Sequence, residues 1–209
     1  MQEWLPLFPL QVVLLPGSDL PLHIFEDRYK EMIRDVVRDR SEFGVVLARE
    51  KGIANTGCTA SIEKVLREYP DGRMDILTLG RRRFEIQRLN EERAFLRGEV
   101  EYFDDEDLQA SSANSRNQVI EAFNELQALA ADPPLLPSEA SAPQLSFRLA
   151  RPISDLSLRQ ALLMEKSEAG RIRQLAAFLP AYVTQQKRIQ HVKSVAPRNG
   201  HGKGLSHID

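Results

Sequence analysis

The sequence predicts an α+β protein: a β-rich pseudo-barrel half with one inserted helix, followed by an all-helical half. Three observations carry this reading. Between Leu5 and Phe103 the apolar residues fall in short runs punctuated by Pro and Gly, many alternating with polar residues. One segment from Glu26 to Arg40 breaks that pattern with a helical stripe. Beyond Phe103 the apolar residues recur three and four positions apart.

The opening stretch, residues 5–29, reads LPLFPLQVVLLPGSDLPLHIFEDRY. Its apolar runs Leu5–Leu10 and Val12–Leu15 are broken by Pro6, Pro9 and Pro16. Proline supplies no ladder donor, so such strands belong at sheet edges, strand starts or bulges. Pro16-Gly17-Ser18-Asp19 reads as a turn. Leu20–Phe25 is a third run, and it leads into a charged helix start at Glu26-Asp27-Arg28. Tyr29, Met32, Ile33, Val36 and Val37 form one stripe, with acids in the first turn and Arg38 and Arg40 in the last, as the helix dipole favours.

Phe43–Ala48 reads as a buried strand and residues 52–57 as a loop. Ala60, Ile62, Val65 and Leu66 describe a strand whose alternation slips by one between Ile62 and Val65, the mark of a bulge. Pro70-Asp71-Gly72 is a turn. Met74, Ile76, Leu77 and Leu79 resume the sheet, and Gly80 permits a bend. Phe84 and Ile86 alternate with Arg83, Glu85 and Gln87, and Phe95–Phe103 closes the half.

An acidic, serine-rich stretch follows, so residues 1–107 are expected to form a β-rich unit, 108–117 a linker and 118–193 a helical unit. Val119, Ile120, Phe123, Leu126 and Leu129 mark a first helix ended by Asp132-Pro133-Pro134. Leu145–Ala150, Ser157–Met164 and Glu168–Ile189 are further helices, with Leu162, Leu163, Ile172, Leu175 and Phe178 as core. Pro180 should kink or divide the last of them. The polar, Gly-rich residues 194–209 are expected to be a disordered tail.

Composition excludes several classes. At 209 residues there is ample length for a core, and 42% apolar with 28% charged residues is ordinary for a soluble protein. A net charge of −2 argues against a dedicated nucleic-acid binder. Cys58 is the single cysteine, so no internal disulfide can form and a reducing compartment suits the chain. The start lacks a basic leader region, and no run approaches the ~20 apolar residues of a membrane span. A cytoplasmic protein without membrane contact is expected.

The block LPLFPLQVVLLPG with PLHIFEDRY resembles the opening of the Lon substrate-binding domain, the N-terminal domain of ATP-dependent Lon proteases. A second block, residues 57–86, GCTASIEKVLREYPDGRMDILTLGRRRFEI, is similar to the same family in order and spacing. Together they span most of residues 4–103, and Asp27 departs from the Pro often found there in free-standing members. The resemblance implies a PUA-like fold for the β-rich half and binding of unfolded or tagged polypeptides, with a separate protease or chaperone as partner. It implies neither a cofactor nor a catalytic residue, because the chain is too short for the family's AAA+ and Ser-Lys protease domains.

Read on their own chemistry, few residues suggest a site. Gly200-His201-Gly202-Lys203-Gly204 lacks the spacing of a phosphate loop. His23 has no second metal ligand at suitable spacing, and Cys58 no base, so both read as structural. No metal site or catalytic dyad can be assembled. Arg81 and Arg83 share a face on a regular strand and offer a basic surface, although interleaved acids favour self-pairing. The corner Phe25-Glu26-Asp27-Arg28 offers a polypeptide-binding edge by hydrophobic contact and charge-assisted hydrogen bonds. Its competing reading has Phe25 in the core and the charges capping a helix. Polypeptide recognition, as an adaptor or regulator of proteolysis, is the leading expectation. An RNA-binding PUA-like module and a small-ligand binder in the cleft between the halves are the alternatives.

Overall fold

A computed structural model describes residues 4–106, 111–140 and 142–195. The β-rich half holds β1 (Leu5–Leu10), β2 (Asp19–Ile24), α1 (Asp27–Asp39), β3 (Phe43–Ala48), β4 (Ile53–Glu68), β5 (Met74–Asn90) and β6 (Arg97–Phe103). The helical half holds α2 (Ala113–Ala130), a 3-10 turn at Pro137–Glu139, α3 (Leu145–Leu149), α4 (Leu156–Met164) and α5 (Glu168–Val195).

The strands form a ring. β1 pairs in parallel with β3, then β3–β4, β4–β5 and β5–β6 are antiparallel, and β6 returns to β1 through Leu5↔Gly98 and Pro6↔Arg97. β2 stands outside the ring as an edge strand, paired among the described residues only with β5, from Asp19↔Leu79 to Ile24↔Met74. Phe84 fills the ring with Leu5, Leu7, Val46 and Ile86. Its ring lies so close to Gly44 and Gly57 that a Cβ there would sit 2.6 and 2.5 Å from its tip. Two glycines thus make room for one phenylalanine.

The described helical elements carry much of the second core. One continuous apolar cluster joins Phe8, Leu15, Met32 and Phe43 of the β-rich half to Phe123, Phe147, Leu163, Leu175 and Leu179 of the helical half. The change of element type after β6 is therefore not a break in the core.

Several elements differ from the sequence expectation for non-local reasons. Val12–Leu15 is no strand: Val13, Leu14 and Leu15 are buried, and the Val13 carbonyl accepts hydrogen bonds from Arg159 of α4 at 3.1 and 2.9 Å. Residues 53–57 are strand rather than loop, since Gly57 and its polar neighbours pair with β5 opposite Phe84. β6 starts at Arg97, with Phe95 buried beside it. α2 already begins at Ala113, inside the expected linker, where the Ser112 side chain accepts from the Ser115 amide. α5 runs through Pro180 undivided to Val195, and the rest of the expected tail lies outside the described residues. Val37 leaves the buried stripe of α1, which keeps Tyr29, Met32, Ile33 and Val36. The alternation slip in β4 appears as a register shift between Ile62 and Lys64.

Candidate polypeptide-binding corner

β2 ends with Ile24 in the core, and strand alternation turns His23 and Phe25 to the opposite side. Phe25 is 60% exposed, so the core reading of this residue does not hold. Its ring stacks on His23, with centroids 5.9 Å apart and planes at 23°. Tyr69 meets His23 edge-on at 6.0 Å, and the guanidiniums of Arg67 and Arg73 lie 4.5 and 4.8 Å from the Tyr69 ring centre. Asp75 ties the group together, accepting from His23 Nδ1 at 2.6 Å and from the Tyr69 hydroxyl at 2.8 Å. Those hydrogen bonds, His23 first, hold its carboxyl below the usual range.

The charges beside Phe25 are paired locally. Glu26 is the N-cap residue of α1, yet its side chain caps nothing and instead binds Arg28 at 2.8 Å. Arg28 lies 4.5 Å from the Tyr29 ring centre. Asp27 accepts from Lys30 at 3.1 Å. Phe25 and the Glu26–Arg28 pair therefore form an exposed apolar ring flanked by a breakable ion pair, beside an edge strand with one unpartnered side. This arrangement can hold an extended chain by strand addition, with Pro21 restricting which amides can donate. The His23–Tyr69–Asp75 platform escaped the sequence reading because 52 residues separate His23 from Asp75. The available signal was the i, i+2 spacing of His23 and Phe25.

Arg81 and Arg83 do not share a surface. Arg81 is exposed and bonded to Ser61 and Glu63, each at 2.8 Å. Arg83 is only 2% exposed. A bulge explains the split: Cys58 faces Arg83 and Ala60 faces Gly80, so both Arg81 and Arg82 stand opposite Thr59, whose hydroxyl accepts the Arg82 amide at 3.0 Å. Arg83 turns inward, donating to the Glu165 carbonyl at 2.7 Å and to Asp105 at 2.6 Å. Fully buried Arg171 of α5 grips both oxygens of the same Asp105 at 2.6 Å and also binds Glu168. Burial alone would raise the Asp105 carboxyl, but the hydrogen bonds and charges of Arg171 and Arg83 hold it below its ordinary value. This cluster clamps the two halves together. Among the described residues no group of three His, Cys, Asp or Glu side chains could hold a metal ion, and no helix is long and apolar enough to cross a membrane.

Comparison with known proteins adds a family. The sequence model of the ATP-dependent protease La (LON) substrate-binding domain matches residues 4–198. A Lon protease of Parabacteroides distasonis is 34% identical over 112 residues, covering 49% of this chain and 14% of that protein. The chain thus spans less than a fifth of that relative's length. The crystal structure of a Lon N-terminal domain protein from Xanthomonas campestris is 30% identical with a TM-score of 0.68, over 85% of this chain and 99% of that one. The N-terminal domain of a Mycobacterium avium complex Lon protease, 16% identical, shares the fold at a TM-score of 0.60 over 85% and 98%.

Proposed function

The chain belongs to the Lon substrate-binding domain family, and from that premise we propose that it recognises unfolded or tagged polypeptide segments without catalysing a reaction on them. The recognising surface is the corner Phe25, Glu26, Asp27 and Arg28 with the free edge of β2. The observation that carries this is the exposed Phe25 ring, stacked on His23 beside a sheet edge. A client strand adds along β2, an apolar client side chain covers Phe25, and a client charge displaces one partner of the Glu26–Arg28 pair. In the cytoplasm such a protein would present clients to a separate protease or chaperone, as an adaptor or regulator.

RNA binding by the β-rich half has less support. Arg81 is already paired with Glu63, Arg83 is buried, and Arg88 and Arg93 face Glu99 and Asp35. A small-ligand cleft between the halves has less still, since the shared core and the Asp105 cluster occupy that junction.

The test is capture of a fluorescently labelled, unfolded polypeptide, beside its folded form and a generic RNA, at two salt concentrations. Selective binding of the unfolded chain is expected. Phe25→Ala should weaken it by about 5–30-fold, as for truncation of an aromatic anchor worth ~1–2 kcal/mol, and Arg28→Glu should weaken it too. Absence of binding to the unfolded chain would overturn the reading, and steeply salt-dependent RNA binding would replace it.

A further inference from the structure

The C-terminal end of α1 lies roughly 18 Å along the helix from the Phe25 corner, at 1.5 Å per residue from Asp27 to Asp39. There α1, the start of β1, β5 and β6 surround a cavity of about 680 Å³. Its wall carries four guanidiniums, Arg38, Arg82, Arg93 and Arg97, and three carboxylates, Asp35, Asp39 and Glu42.

Two of the arginines are spoken for. Arg38 binds Asp39 at 2.8 Å and Asp35 at 2.9 Å, and Arg93 binds Asp35 at 2.6 Å. The other two pair with no carboxylate of the cavity wall among the described residues. Arg82 makes no ion pair among the described residues; its guanidinium lies 3.7 Å from the centre of the Tyr102 ring. Arg97 donates to Asn90 at 2.8 Å and reaches the exposed Glu92 at 3.3 Å, but its Nε is buried with no acceptor among the described residues. A buried N–H without an acceptor is costly and marks a place where an acceptor belongs. The β5 bulge that sends Arg83 into the core is the same irregularity that turns Arg82 onto this cavity. Trp4 and Tyr102 supply aromatic surface beside the two guanidiniums.

We propose that this cavity is a second binding site, which takes a peptide carboxylate next to an apolar side chain. Arg82 and Arg97 hold the carboxylate oxygens, and Trp4 and Tyr102 pack on the neighbouring apolar group. Glu42, on the same wall, selects for one negative charge over two. The carboxylate belongs either to an internal Asp or Glu or to a chain terminus; the chemistry is shared.

Trp4 is the single tryptophan of the chain, so its fluorescence reports this site alone. The full protein is titrated with three short peptides lacking tryptophan: an end-blocked Asp-Leu-rich peptide, its Asn-Leu counterpart, and an end-blocked-at-N apolar peptide with a free carboxyl terminus. Inorganic phosphate serves as a fourth probe. The expected result is a saturable change in Trp4 emission with a carboxylate peptide and at least tenfold weaker binding in Arg82→Ala. Response to the first peptide assigns an internal acid, and response to the third a chain end; either supports the site. Arg82 is exposed, so its truncation leaves the fold intact, and a thermal melt of the variant verifies this. Equal response to the Asn peptide, equal response to phosphate, or unaltered binding in Arg82→Ala overturns the proposal. The Phe25 corner is read separately, by its own variants and by capture of the labelled unfolded polypeptide.

Discussion

Asp105 is the residue on which most charge depends, since one carboxylate serves Arg83 and the fully buried Arg171. Removing it leaves Arg83 buried without a counter-charge and Arg171 with Glu168 alone, so Asp105→Ala should cost about 3–5 kcal/mol, read as a lower urea midpoint at neutral pH. The pH dependence has a definite sign. Because the folded carboxyl is held below its unfolded value, its contribution is fully present above the ordinary carboxylate range. It disappears as pH falls from about 4 through the lower folded value. Urea midpoints taken between pH 7 and pH 3 should therefore fall less steeply in Asp105→Asn than in the parent. Cys58 makes a contrasting case. It is fully buried, and burial pushes its thiol up to about 12. Iodoacetamide at pH 8 should leave the native protein unmodified and label Cys58 promptly in denaturant; labelling of the native state would contradict this burial.

At the scale of elements, the ring depends on two absent side chains. Gly57→Ala would bring a Cβ to 2.5 Å from Phe84 and 2.6 Å from the Val45 carbonyl, so it should cost about 1–3 kcal/mol. A thermal melt should show a drop of several degrees, partly recovered in Gly57→Ala/Phe84→Leu. What could be read from the chain divides along the same line. α1, β3 and the Asp71-Gly72 turn were legible because periodicity and turn chemistry are local properties. Residues 53–57 were not, because Gly57 is explained by neighbours across the ladder, Val45 on one side and a phenylalanine 27 positions on at the other. Arg81 and Arg83 misled for a related reason: an unseen bulge reset the alternation between them. At the corner, Phe25 and Arg28 stood out as chemistry, but the platform beneath Phe25 needs Tyr69, just past β4, and Asp75 of β5, both distant in sequence.

The whole molecule unfolds as one unit if the shared core is its main support. The cluster that runs from Phe8 and Met32 to Phe147 and Leu175 gives neither half an apolar face it can hide alone. Far-UV circular dichroism, which sees both halves, and Trp4 fluorescence, which sees the β-rich half, should give coincident denaturation curves. A fragment of residues 1–106 should fail to show such a cooperative transition. Two separated curves, or a cooperatively folding fragment, would mean that the halves are independent.

The distance along the chain between Asp105 and Arg171 is 66 residues. On a ribosome adding about 5–20 residues per second, that is roughly 3–13 s during which the strands have emerged and the clamp has not. Through that interval the nascent chain carries an uncovered apolar face and an incomplete charge cluster. Its birth, rather than its working life, is the stage at which it most needs shelter from its neighbours.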